Sequence, residues 1–173
     1  MSRKANLMSK TMRAVLNLGV GITMLTALSA VAWAQDRPWP DFAVTRAADG
    51  VAMRSTAIAH GERWLVVVVR PDCEPCRALL GRLSREGAAG MPGRVAVVFS
   101  GVASAEAAAL QASAPGLPAG VWYRDDAGAA IAALDAQAAP ILLGLRGDRI
   151  AWTFGGFLYA DAQWQGVVVP WLR

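Results

Sequence analysis

The sequence predicts one α/β domain built on a mixed central sheet with helices on both faces. Three observations carry this. WLVVVV at 64–69 and RVAVVF at 94–99 are continuous, largely β-branched apolar runs, which is how strands buried on both faces of a sheet read. Between them Ala78, Leu79, Leu80 and Leu83 recur at helical spacing, so strand, helix and strand form a βαβ unit. Near the end, ILLGL at 141–145 and RIAWTF at 149–154 flank Gly147-Asp148, the pattern of an antiparallel hairpin.

The 173 residues suit a single domain, and the first 34 stand apart from it. Arg3, Lys4, Lys10 and Arg13 make a basic start, 14–31 is uncharged and mostly apolar, and Ala32-Trp33-Ala34 supplies the small residues a signal peptidase requires. Residues 1–34 are therefore expected to be an export signal. The alternative is a retained membrane anchor, since about 20 apolar residues can span a bilayer. Either way the remainder is expected in the periplasm, because the positive flank stays on the cytoplasmic side.

Residues 35–41 (QDRPWPD) read as an extended, mobile lead, and 42–173 as the domain. Two short runs within 42–54 surround Asp49-Gly50, a pair that favours a tight hairpin turn. A loop or short helix fills 55–63. The run at 64–69 is expected as the central strand, ended by Pro71, with a helix from Glu74 to about Gly87. An alanine-rich helix at 104–113 is stopped by Pro115 and Pro118; 121–123 is a short strand, RDDAG at 124–128 a turn, and 129–138 a weak helix. The final segment, 159–172, reads as helical before Pro170.

Four of the 17 basic residues lie before residue 35, which leaves 13 basic against 13 acidic residues in the rest of the chain. The apparent net charge of +4 thus belongs to the leader, and no basic footprint for nucleic acid remains.

The only two cysteines, Cys73 and Cys76, sit where the first buried run gives way to a helix. An oxidising compartment lets such a pair form a disulfide. A loop this small gains little closure entropy from its cross-link, so a purely structural staple is the weaker reading. Structural zinc needs four Cys or His ligands, and the chain offers two cysteines and His60. A cysteine at a helix N-terminus meets unpaired N–H groups and the positive end of the helix dipole, which favour thiolate over thiol. Cys73 is thus expected to be the nucleophile and Cys76, one turn on, the resolving thiol. Pro75 in the first turn forfeits no helical hydrogen bond. Glu74 and Arg77 are the expected tuning residues, with a solvated helix start as the plainer reading of both.

Cys73-Glu74-Pro75-Cys76 after a buried strand, RVAVVF one helix further on, VWYRDDAGAAIAALDAQAAP, and the closing hairpin together resemble the thioredoxin superfamily. More narrowly they resemble the exported TlpA/ResA-like thiol-disulfide reductases, over roughly residues 41–172. The resemblance implies a thioredoxin-like three-layer sandwich and an enzyme that exchanges disulfides with protein clients carrying cysteine pairs, drawing electrons from a membrane or periplasmic thiol-disulfide donor. It implies no cofactor, no metal and a monomer. It also implies that the Ala139-Pro140 bond is cis, that Pro140 packs against the cysteine pair, and that the Ala139 backbone is free to pair with an extended substrate. Two positions depart from the pattern: Asp72 stands where an aromatic residue is usual, and Val67 lies near the place of a buried acid that assists proton transfer. The alternatives are a non-catalytic thioredoxin-fold subunit of an envelope assembly, and a copper-delivery protein using the cysteines with His60.

Overall fold

The structure is a computed structural model and describes residues 34–58, 61–86, 94–101, 104–155 and 161–173. Residues 1–33, where an export signal is expected, and His60 lie outside the described residues. No helix among the described residues is long and apolar enough to cross a membrane.

Eight strands form one sheet: β1 Ala34–Pro38, β2 Ala43–Arg46, β3 Ala52–Arg54, β4 Arg63–Val69, β5 Val95–Ser100, β6 Trp122–Asp125, β7 Ile141–Arg146 and β8 Arg149–Gly155. Their order across the sheet is β1-β8-β7-β4-β5-β6-β2-β3. Strand β4 is central, parallel to β5 and antiparallel to β7. Leu65, Val67 and Val69 point into one core and Trp64, Val66 and Val68 into the other, which is why this stretch is apolar without alternation.

The first core lies under helices α1 Glu74–Glu86 and α2 Ser104–Ala112 and the C-terminal helical segment. Leu79, Leu80 and Leu83 of α1 are its buried stripe. The second core is covered by α3 Ala129–Ala133, the 3₁₀ turn Ser55–Ile58, Trp39 and Phe42. The expected three-layer, thioredoxin-like α/β sandwich is therefore the observed architecture.

Strand β6 runs to Asp125, two residues into the expected turn, and four further elements differ from the sequence reading. The lead at 35–41 is joined to the domain: Ala34–Pro38 pairs with β8 as the edge strand, and Trp39 is buried with its indole N–H donating to the Ser55 carbonyl at 3.1 Å. An edge position explains how a strand tolerates Pro38. Residues 47–51 form a longer turn than Asp49-Gly50 alone, with Arg46 N–H donating to Val51 O. Helix α3 stops at Ala133, five residues short of the expected end, because the chain turns through Asp135 at φ 53°. Pro170 lies inside the last helix instead of ending it. The chain runs through α4 Asp161–Gln163, a π-helical stretch Trp164–Val168, and α5 Val169–Leu172, and Pro170 falls in the first turn of α5.

Candidate active site

Parallel strands β4, β5 and β6 end at the same edge of the sheet, the edge where open α/β sheets usually bind ligands. From β4 the chain passes through Arg70, Pro71 and Asp72 to Cys73, and α1 begins at Glu74. The sulfurs of Cys73 and Cys76 are bonded, with Cα atoms 5.2 Å apart. The two cysteines differ in setting. Cys76 is fully buried in the first core, whereas Cys73 is only partly buried and packs against its margin.

The helix start is turned toward Cys73. The backbone N–H of Cys76 lies 3.1 Å from the Cys73 sulfur, and the N–H groups of Cys76 and Arg77 reach the Cys73 carbonyl at 3.1 and 3.3 Å. A negative charge on the Cys73 sulfur would be met by an N–H donor and by the positive end of a 13-residue helix. Glu74 and Arg77 are exposed and paired with each other, Nη1 to Oε2 at 2.8 Å. Asp72, where the sequence resemblance would place an aromatic residue, is exposed 3.8 Å from the Arg70 guanidinium. Val67 is fully buried in the same core as Cys76, so its position holds no proton acceptor.

The Ala139-Pro140 peptide is cis. Across the β4–β7 ladder Ile141 stands opposite Val68, so Pro140 enters the sheet beside the end of β4 from which the cysteine loop departs. Pro140 is buried, and Ala139 packs against the same core as Cys73 and Cys76. The structure thus brings the Cys73–Cys76 turn and the Ala139-Pro140 loop to one edge of the sheet.

A third feature of this edge was not singled out in the sequence. Asp125, at the end of β6, is fully buried and accepts from the Ser100 hydroxyl at 2.9 Å and from the backbone N–H groups of Ala129 and Ala130 at 3.0 and 2.6 Å. Its carboxylate holds the first turn of α3 to the end of β5. The reading of RDDAG as a turn gave no sign that the first aspartate points inward.

No protein-family model matches the sequence, and no curated protein matches it. Solved structures do. A Chlorobium tepidum protein assigned as a thiol:disulfide interchange protein DsbE superposes with a TM-score of 0.64 at 17% identity, over 80% of this chain and 98% of that one. A Bacteroides thetaiotaomicron protein assigned as a protein disulfide isomerase gives 0.59 at 14% identity, over 78% and 85%. A secreted Mycobacterium tuberculosis disulfide oxidoreductase homologous to E. coli DsbE gives 0.56 at 15%, over 72% and 92%. At these identities the likeness is one of fold, and the fold is that of thioredoxin.

Proposed function

We propose that the protein is a thiol-disulfide oxidoreductase of the cell envelope that reduces client disulfides through Cys73 and Cys76. The observation that carries this is the asymmetry of the pair: a partly exposed sulfur at a helix N-terminus with an N–H donor, bonded to a sulfur that solvent cannot reach. A passive staple requires no such difference. The fold neighbours named as disulfide oxidoreductases support the same chemistry, and the secreted one supports an extracytoplasmic location.

In the proposed cycle the reduced protein attacks with the Cys73 thiolate on one sulfur of a client disulfide. The client S–S bond breaks, a mixed disulfide forms, and the client's other sulfur leaves as a thiolate. Cys76 then attacks the Cys73 sulfur, restoring the Cys73–Cys76 bond and releasing the second client thiolate. Two electrons pass to the client, and a donor dithiol must return two. With Val67 where a base would stand, the proton from Cys76 goes to the departing client sulfur or to solvent. Burial of Cys76 confines its attack to the neighbouring Cys73, which favours resolution over exchange with a second client. The cis Ala139-Pro140 loop at the same edge is the proposed seat of the client backbone.

Dithiothreitol-driven reduction of insulin disulfides tests the proposal. Wild-type protein should accelerate insulin precipitation, and Cys73→Ser should abolish the acceleration. Equal rates with and without the wild-type protein would remove the reading.

A further inference from the structure

We propose that Asp125 is a positioning residue for disulfide exchange with a polypeptide client, fixing the Ala139-Pro140 loop relative to the Cys73 turn. This rests on the function proposed above and adds to it a residue that acts through its neighbours.

The Asp125 carboxylate is completely buried at the end of β6. Burying a charged group is costly unless it is hydrogen-bonded, and here both oxygens accept. Oδ1 takes the Ala129 N–H at 3.0 Å, and Oδ2 takes the Ala130 N–H at 2.6 Å and the Ser100 hydroxyl at 2.9 Å. For stability alone, apolar groups of the same shape can replace a buried polar pair at little cost. What a fully paired network adds is a fixed orientation of the elements it joins.

Each bond leads to one side of the candidate site. On one side, Ser100 and Asp125 stand in register as the last partners of β5 and β6, and the Gly101 N–H donates to the Asp125 carbonyl at 3.0 Å. Gly101 turns at φ 122°, and a Cβ there would lie 3.6 Å from the Pro71 ring, so the end of β5 packs beside the loop that reaches Cys73 two residues on. On the other side, Ala129 and Ala130 open α3. The chain beyond α3 hangs from it: the Leu134 N–H donates to the Ala130 carbonyl and the Ala136 N–H to the Ile131 carbonyl, both at 3.1 Å. Only Gln137 and Ala138 then separate Ala136 from Ala139.

One carboxylate thus joins the support of the cysteine turn to the support of the cis-proline loop. A small disulfide needs the Cys73 sulfur alone, whereas a polypeptide must meet that sulfur and the proposed seat at Ala139-Pro140 together. Misplacing two such elements by about 1 Å can cost on the order of a hundredfold in rate.

The test compares insulin with hydroxyethyl disulfide, which is small and uncharged, as oxidants of the reduced full-length protein. Second-order rate constants are read from the loss of free thiols by quenched-flow alkylation, for wild type, Asp125→Asn and Ser100→Ala, with folding checked by circular dichroism. Asp125→Asn should slow insulin by about tenfold and the small disulfide by less than about twofold. Ser100→Ala keeps the carboxylate and its two backbone donors, so it should show the same selectivity at about threefold, and it carries the test where Asp125→Asn does not fold. Insulin rates unchanged in the folded variants, or both disulfides slowed by the same factor, would overturn the positioning role and leave the proposed function standing. A wild-type protein that reduces neither disulfide would overturn the function and this role with it.

Discussion

The backbone N–H of Cys76 points at the sulfur of Cys73 from 3.1 Å, so the residue expected to resolve the mixed disulfide also supplies a donor to the residue expected to attack. With the Cys76 sulfur fully buried and Cys73 only partly so, the pair should show a fixed order of reactivity after reduction. Alkylation of the reduced protein with limiting iodoacetamide, read by peptide mass spectrometry, should label Cys73 first. Preferential labelling of Cys76 would reverse the assignment of roles.

The same order has a trapping consequence. Cys76→Ser leaves an attacking thiol with no partner to resolve it and should accumulate mixed disulfides with clients, visible as reducible high-mass bands on non-reducing gels. Cys73→Ser should accumulate none. Bands from Cys73→Ser alone would contradict the account.

Replacing Glu74 by Gln should make the couple more oxidising. The carboxylate opposes a thiolate at Cys73, and its removal also frees the Arg77 guanidinium now held 2.8 Å away. Both changes stabilise the reduced form. Exposure of the pair keeps the effect small, below about 30 mV, which for this two-electron couple is one tenfold step. Equilibration with dithiothreitol measures it, and a shift to more reducing potential would refute this account of tuning.

Asp125→Asn should destabilise the fold by about 1–3 kcal/mol in urea unfolding, the cost of leaving a buried donor unsatisfied. An amide cannot accept with both of its heavy atoms, whereas both carboxylate oxygens accept here. Stability unchanged within error would mean that Asp125 does not secure α3.

Gly144 is required by its neighbour across the β7–β8 ladder: a Cβ there would overlap the Trp152 ring. Gly144→Ala should therefore cost about 2 kcal/mol or more through overpacking, and Trp152→Phe should recover part of it. The order of cysteine alkylation should stay the same in both. An additive pair of losses would show that the contact is not the cause.

How much of this was legible in the sequence depends on whether the determining contact is local. Strand β4 was, because a segment buried on both faces must be apolar at every position from Trp64 to Val69. The cysteine turn was legible because helix start and sulfur positions are set within four residues. The cis bond before Pro140 came from resemblance alone, since nothing in the neighbouring residues dictates it. Strand β1 was missed because an edge strand can be polar and contain proline, and its pairing with β8 spans most of the chain. Asp125 was read as a turn residue because its partners, Ser100 and the start of α3, come together only in the folded sheet.

The reduction potential of the Cys73–Cys76 couple, measured by equilibration with glutathione, tests the proposed direction of electron flow most directly. One backbone donor and a helix terminus favour the Cys73 thiolate, the Glu74 carboxylate opposes it, and Arg77 is engaged by Glu74. Nothing in this balance stabilises the reduced form as strongly as in DsbA, whose potential is about −120 mV. The account predicts a clearly more negative value, toward the roughly −270 mV of thioredoxin. A potential at or near about −120 mV, or a disulfide that dithiothreitol cannot reduce in the folded protein, would contradict it.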